Sequence, residues 1–361
     1  MFDVPIIRAI KATPVSVPLT TPLRTASGMI AASPLVLIDL ETHTQITGRA
    51  YVFVYTPLAL QPVAQLVNAL GIELSGTPVA PSELTRMFNA KFRLVGSAGL
   101  LGMALAGIEM AAWDVVAKRA DMPLFQLLGG QHKPIKAYAS LGLDGLEDGT
   151  RRVAEAIARG FRAVKIKLGY PTLKEDLAVV RAIRTTLGDE FDLMVDYNQS
   201  LTVAEALARC AALDAEGLTW IEEPTLQEDY VGHAQIAAHT KTPIQLGENW
   251  YGLAEMTKAL DAAAADFVMP DVMKIGGIAA WIGAATLAHS RGLPISTHLF
   301  HEISAHLLTA APTAHYLEVM ELANPILADP MQFDAGYAVL PTQPGNGIAW
   351  NDTAVRRYAV T

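Results

Sequence analysis

A chain of 361 residues with 51% hydrophobic and 17% charged side chains can bury one large core and a smaller companion. Its 27 Lys and Arg against 36 Asp and Glu leave a net charge of −9, which opposes binding to nucleic acid or to an anionic membrane. The single cysteine, Cys210, excludes an internal disulfide and a thiolate zinc cluster, so any metal is held by oxygen or nitrogen. Mean hydropathy is positive at +0.28. Even so, Glu109 interrupts the apolar stretch 99–113, and Asp261 and Asp266 interrupt 260–269, so no bilayer span is expected. Asp3 and Arg8 fall where a secretory signal needs an unbroken apolar run, and the expected location is the cytoplasm.

In chain order, period-two alternation predicts strands at 6–12 and 34–40, and helical patterns follow at 57–70 and 102–120. This α+β segment ends near residue 130, where Pro123 and Gly129-Gly130 mark a stop and a turn. From Ile135 onward, short apolar runs alternate with amphipathic stretches, the pattern of repeated βα units. Eight strands are predicted, at 135–139, 163–167, 193–197, 219–222, 243–247, 267–270, 294–297 and 316–319. The helices between them fall at 150–159, 173–187, 203–215, 230–239, 253–263 and 277–289, with a shorter one at 302–309. The expected fold class is therefore α/β, a modified TIM barrel of (β/α)7β type over residues 131–325, preceded by an α+β domain over 1–130. Residues 326–361, rich in Pro and Gly, are expected to leave the barrel and pack against the first domain.

In such a barrel the C-terminal strand ends build the active site. Here nearly every end carries an ionisable group: Lys165 and Lys167, Asp196, Glu222, Glu248, Asp271, His298 and Glu318. Asp196, Glu222 and Glu248 recur 26 residues apart, about one βα repeat, so three carboxylates converge from adjacent strands. Like charges so crowded need a cation, and an all-oxygen set with room for water and substrate suits Mg²⁺. The bland alternative is three separately solvated acids, or salt bridges to Lys165 and Lys274.

Lys165 and Lys167 lie two apart on one strand and point to the same side. Crowding of two ammonium groups is expected to lower the pKa of one, making Lys167 a base with Lys165 left charged beside a developing anion. A solvent-facing pair and a Schiff-base lysine are the alternatives. His298 ends the seventh strand and Asp271 the sixth, so a His–Asp hydrogen bond between neighbours is geometrically reasonable, with His301 and His306 as nearby decoys. Strands two and seven are separated by strands one and eight, which lets Lys167 and His298 approach a central substrate from opposite faces. Two bases so placed are what a one-proton racemisation needs.

Over essentially its whole length the chain resembles the enolase superfamily, and within it the mandelate racemase subgroup. The segments that carry the likeness include IEMAAWD (108–114), PLFQLLGG (123–130), FRAVKIKLG (161–169), VDYNQS (195–200), WIEEP (220–224), GENW (247–250), MPDVMKIGG (269–277), STHLFHEIS (296–304) and AHYLE (314–318). The resemblance implies a Mg-dependent racemase of a small aromatic 2-hydroxy acid, acting through an enediolate. It implies that Asp196, Glu222 and Glu248 ligate Mg²⁺, that Lys167 and the Asp271-paired His298 each take the α-proton from one enantiomer, that Glu318 donates to the substrate carboxylate, and that Lys165 and Asn198 stabilise negative charge. Ser140 would serve the same carboxylate. The first domain would cap the barrel mouth, with 21–30 as a flap, and the chain would form a homo-oligomer, an octamer in the family's pattern.

Leu23, Ile30, Phe53 and Tyr55, with Pro22, would then line an apolar pocket suited to an aryl ring, unless they merely pack the small domain. Leu141, Gly142 and Arg24 depart from the subgroup's pattern. A small-molecule carboxylate is the expected partner. The nearest competing activity is an acid-sugar dehydratase, which would want more hydrogen-bond donors in the pocket. A non-catalytic ligand-binding relative predicts loss of a base or ligand position, and every such position is filled.

Overall fold

The structure, a computed structural model, describes residues 4–25 and 28–360. Ala26 and Ser27, inside the expected flap, lie outside the described residues.

The first domain is a three-stranded antiparallel sheet in the order β1 (Ile7–Thr25), β2 (Gly28–Thr42), β3 (Thr47–Phe53). Three helices accompany it, α1 (Leu60–Leu74), α2 (Pro81–Lys91) and α3 (Gly99–Arg119), followed by a single turn, α4 (Leu124–Leu127). β1 and β2 run well past the alternating segments seen in the sequence, because β1 is an edge strand where Pro14 and Pro18 are tolerated. β3 and α2 were not predicted. α3 is long and apolar enough to cross a membrane by length and composition, but most of it is buried as the core helix between sheet and barrel.

The second domain alternates β4 (Ile135–Ser140), α5 (Glu147–Ala158), β5 (Ala163–Lys167), α6 (Leu173–Leu187), β6 (Asp192–Asp196), α7 (Val203–Leu213), β7 (Ile221–Glu222), α8 (Tyr230–His239), β8 (Ile244–Leu246), α9 (Leu253–Asp261), β9 (Phe267–Val268), α10 (Ile278–Ser290), α11 (His301–Ala310) and β10 (Leu317–Val319). Strands β4 to β9 are parallel neighbours in sequence order, and β10 pairs with the other side of β4. The predicted strand at 294–297 does not form a ladder. It makes single bridges, Val268 to Ile295 and Ile295 to Ala314, with backbone hydrogen bonds to both neighbours, among them Ser296 N–H to Val268 O at 2.8 Å and Thr297 N–H to Tyr316 O at 3.0 Å, so it lies between β9 and β10 as a short bonded stretch.

Inside the barrel, Tyr138, Ala163, Met194, Trp220 and Tyr316, with Phe267 against them, pack an apolar layer below the mouth. The tail first adds a hairpin, β11 (Gln332–Asp334) and β12 (Tyr337–Val339), whose second strand pairs antiparallel with the start of β4. It then returns to the first sheet: the Trp350 indole donates to Asp39 at 3.0 Å, and α12 (Asp352–Tyr358) leads to a bridge between Ala359 and Val15.

Candidate active site

The ladder register puts the chemistry on one rung. Lys167, Asp196 and Glu222 are successive partners across β5, β6 and β7, so their side chains enter the barrel side by side. Lys165 and Ser140 pair one rung lower, and Glu318 pairs with Tyr138. Glu248 arrives from beyond β8 after Gly247, whose φ of 136° is open to glycine and where a Cβ would lie 2.9 Å from the Trp250 ring. One oxygen each of Asp196, Glu222 and Glu248 lies within 4.8 Å of the others, and all three residues are buried.

Non-glycine residues with left-handed backbone cluster at these strand ends: Asn198 (φ 44°), Gln199 (64°), Glu223 (38°), Leu299 (50°) and Phe300 (48°). Such conformations cost about 1–3 kcal/mol each and persist where the surroundings impose them. At Asn198 the turn folds the amide back on the triad, with its backbone N–H 2.7 Å from Asp196 Oδ1 and Nδ2 2.9 Å from Oδ2.

Two ammonium groups meet the carboxylates. Lys165 Nζ is 2.5 Å from Glu222 and 2.9 Å from Glu318, and Lys167 Nζ is 2.6 Å from Asp196. Burial, the largest influence on both lysines, disfavours their charge, but the carboxylates outweigh it. Lys167 is raised, and Lys165 well above the ordinary lysine value. This corrects the expectation that crowding lowers one lysine: each has its own carboxylate partner. A divalent cation on Asp196 would compete with Lys167 for that charge and move its pKa down.

Burial pushes Glu222 up to about 8, against the pull of Lys165, so the lysines alone do not neutralise the triad. Lys274 does not reach it. Its ammonium donates to Asn249 Oδ1 at 2.6 Å and lies 4.4 Å from the Tyr55 ring centroid. Three converging oxygen ligands with surplus negative charge fit Mg²⁺.

On the other flank, His298 Nδ1 donates to Asp271 Oδ2 at 2.7 Å, while Nε2 is 3.2 Å from Glu248 and 3.8 Å from Glu318. Asp271 is anchored by the backbone N–H groups of Met273 and Lys274. Burial opposes the imidazolium, but Glu248, Glu318 and Asp271 raise His298 to about 9. Glu318 is held below the ordinary carboxylate range despite burial, by Lys165 and His298, and it accepts from Leu299 N–H. It is thus ionised here, and donation to a substrate would require it first to take up a proton. His301 and His306 point elsewhere: His306 lies against Phe125 and Asn346, and His301 is buried with Nε2 3.2 Å from Glu302 Oε1.

Lys167, Asn198, Glu248 and His298 line one cavity of about 630 Å³, together with the apolar Leu23, Ile30, Phe53, Tyr55, Met103 and Met320. Lys165, Asp196, Glu222 and Glu318 are buried behind its lining. Ser140 is not part of that lining. It pairs with Lys165 on the inward face of β4, its hydroxyl is buried without a partner, and the residue also borders a second cavity of about 500 Å³ beneath the β1–β2 hairpin. The hairpin is tied down there by Leu143 N–H donating to Arg24 O at 2.9 Å. Asn249, which bonds both Glu223 and Glu248, and Glu302, which accepts from the Tyr51 hydroxyl at 2.6 Å, are site supports that strand-end position alone did not single out.

A barrel mouth holding a triple-carboxylate magnesium site between a lysine and a histidine, under a separate α+β domain, defines the class of protein. A family model described as the mandelate racemase / muconate lactonizing enzyme N-terminal domain matches residues 7–129, and one described as enolase C-terminal domain-like matches 149–354. The chain belongs to the enolase superfamily, in its mandelate racemase/muconate lactonizing enzyme family, and is a magnesium-dependent enzyme.

It is similar to a Bradyrhizobium enolase whose crystal structure holds magnesium and mandelic acid, with 44% identity, a TM-score of 0.96 and coverage of 100% of both chains. It is also 31% identical over 350 residues to the 3,6-anhydro-α-L-galactonate cycloisomerase of Streptomyces coelicolor, covering 95% of this chain and 97% of that one. With the L-talarate/galactarate dehydratase of Salmonella typhimurium it shares 34% identity over 270 residues, 74% of this chain and 68% of the relative.

Proposed function

We propose that the protein racemises a small aromatic 2-hydroxy acid of the mandelate type by moving one α-proton between two bases. The observation that carries this reading is that Lys167 and His298 line the same cavity from separate strand ends, together with Leu23, Ile30, Phe53 and Tyr55.

The α-proton of a carboxylate is very weakly acidic because its loss places a second negative charge on the enediolate. Magnesium held by Asp196, Glu222 and Glu248 supplies electrostatic stabilisation of that charge. Lys165, cationic and buried, adds to it, and Asn198 keeps Asp196 oriented. Lys167 Nζ, once it has given up its own proton to become the neutral amine, accepts the proton from one enantiomer, breaking the C–H bond, and the imidazolium of His298 delivers a proton from Nε2 to the opposite face. For the other enantiomer the roles reverse. Asp271 holds His298 with Nε2 toward the cavity, and Glu318, once protonated, donates to the substrate carboxylate. The apolar wall excludes water and receives the ring.

A second reading has specific support. The same cavity also presents Thr25, Gln199, Asn249 and Lys274, donors suited to a polyhydroxylated acid, and the Salmonella relative is a sugar-acid dehydratase. There the same base removes the α-proton and the opposite acid assists loss of a β-hydroxyl.

Each mandelate enantiomer and a panel of sugar acids, incubated with protein and Mg²⁺ in heavy water, separate the two. Racemisation gives α-deuterium with inversion, and dehydration gives a keto acid. Exchange that survives stripping with a chelator would sink both readings.

A further inference from the structure

Lys167 works only if its ammonium is aimed, and the aim of a strand-end side chain depends on the loop that follows. That loop is held by a carboxylate with no part in the cavity lining, Asp176, which is fully buried in the first turn of α6. It heads the buried stripe of Asp176, Val179, Val180, Ile183 and Leu187, an acid where the pattern calls for an apolar residue.

Its oxygens take four donors. Oδ1 accepts from the backbone N–H groups of Gly169 at 3.2 Å and Tyr170 at 3.0 Å. Oδ2 accepts from the Tyr197 hydroxyl at 3.1 Å and from Arg209 Nη1 at 2.6 Å. Arg209 comes from α7, and its guanidinium also donates to Tyr170 O at 2.8 Å and Pro171 O at 3.2 Å.

These partners belong to the loops that leave two adjacent strands. Gly169 and Tyr170 follow Lys167, the last residue of β5, and Tyr197 follows Asp196, the last residue of β6. The loops approach closely: Gly169 has φ 110°, and a Cβ there would lie 2.7 Å from Ser200 Oγ. One carboxylate therefore fixes the ends of β5 and β6 against each other, the same ends whose side chains meet at 2.6 Å as Lys167 and Asp196. His298 is held by other parts, Asp271 on one side and the turn into α11 on the other, and none of the Asp176 partners belongs to either.

We infer that Asp176, locked by Arg209, is a positioning residue that aims Lys167 at the substrate. This rests on the reading of Lys167 as a proton acceptor. Its consequence is asymmetric: disturbing Asp176 impairs the lysine half of the reaction far more than the histidine half, which feels it only through the Asp196 end of β6. A purely structural role in the barrel would impair both alike.

The test compares the magnesium-loaded wild type with Asp176→Asn, which keeps the shape and removes the charge. Deuterium incorporation is followed from each mandelate enantiomer, and the variant's crystal structure is determined. Exchange from the enantiomer that Lys167→Ala silences is expected to fall roughly 10²-fold in kcat with KM little changed, the cost of about 1 Å of misplacement. Exchange from the other enantiomer, which shares only the Asp196 end of β6 with this network, falls by no more than a few fold. In the crystal the contact between Lys167 and Asp196 lengthens.

Arg209→Lys keeps a cation but loses the fork that reaches Tyr170 O and Pro171 O. It shows the same one-sided loss in smaller measure and decides the matter should Asp176→Asn fail to fold. Equal loss from both enantiomers, or no loss from either, overturns the inference. If the wild type exchanges neither enantiomer, the racemase reading fails on its own. The inference then stands or falls on whether Lys167 is displaced in the variant crystal.

Discussion

The two flanks of the cavity are built by different means. Lys167 ends a five-residue strand whose every residue is paired with β6, and its ammonium is aimed along a regular ladder. His298 ends a stretch that makes only single bridges, among them its own to Asp271. The chain then turns into α11 through two strained left-handed residues, Leu299 and Phe300. That turn is held by side chains: Glu318 takes the Leu299 N–H, Tyr51 of the first domain packs on Phe300 at 5.2 Å between ring centroids, and the Tyr51 hydroxyl bonds Glu302. One base sits at the end of a continuous ladder; the other ends a shorter backbone-bonded stretch whose exit turn is held by a network that crosses from one domain to the other.

The largest test of this division is removal of each base. Lys167→Ala and His298→Asn are each expected to cut exchange from one enantiomer by roughly 10²–10⁴-fold, the range for a general acid or base, while exchange from the other enantiomer persists. Chiral chromatography of the deuterated products reads both at once. Loss of both activities in either variant would break the two-base assignment.

The histidine flank has its own pH signature. With His298 raised to about 9, the imidazole is protonated at neutral pH and accepts a proton only from its neutral fraction. Exchange measured in Lys167→Ala, which leaves only the histidine half, is therefore expected to climb with pH and level off near that value. Magnesium on Glu248 weakens one of the attractions that raise His298, so the rising limb moves to lower pH as the metal saturates. NMR titration of the imidazole with and without Mg²⁺ checks the direction, and an unmoved or upward-moving limb contradicts it.

The wall serves both flanks equally, so changing it sharpens the contrast. Ile30→Asn places a polar amide where a ring would pack and is expected to cost an aryl acid about 1–3 kcal/mol of transition-state binding, alike for both enantiomers. A sugar acid would lose little or gain. If kcat/KM for mandelate is unchanged while a sugar acid is dehydrated better than mandelate is racemised, the second reading replaces the first.

The same contrast explains what the sequence could disclose. Repeating βα spacing marks strand ends, so the triad, Lys165, Lys167, Asp271, His298 and Glu318 were legible as candidates before any coordinates. The extent of pairing was not: 294–297 reads as a strand and is backbone-bonded to both its expected neighbours, yet it makes single bridges where β5 makes a ladder. Charge balance was not legible either. Two lysines on one strand predict mutual repulsion, but the depth of Glu222, Glu318 and Asp196 decides the sign. Ser140 was placed on the substrate by resemblance alone; the register sets it beside Lys165 with its hydroxyl buried and without a partner. Asp176 did leave a trace, as a charged residue on the apolar stripe of a helix, a signal that periodicity arguments discard as noise.

Tyr51 gives the smallest effect and the most direct probe of the histidine flank, because it lies in the first domain and outside the cavity lining. Tyr51→Phe keeps the ring against Phe300 but removes the hydrogen bond to Glu302, leaving that carboxylate its contact with His301 Nε2 at 3.2 Å. A buried carboxylate oxygen that loses its hydrogen bond costs about 1–3 kcal/mol, which thermal unfolding registers as a lower melting temperature. Because the strained turn loses one of its restraints, exchange from the His298 enantiomer is expected to drop by a few fold at a temperature where the variant is fully folded, with the Lys167 enantiomer unaffected. An equal drop in both would mean that the first domain supports the mouth as a whole and that the histidine has no clamp of its own.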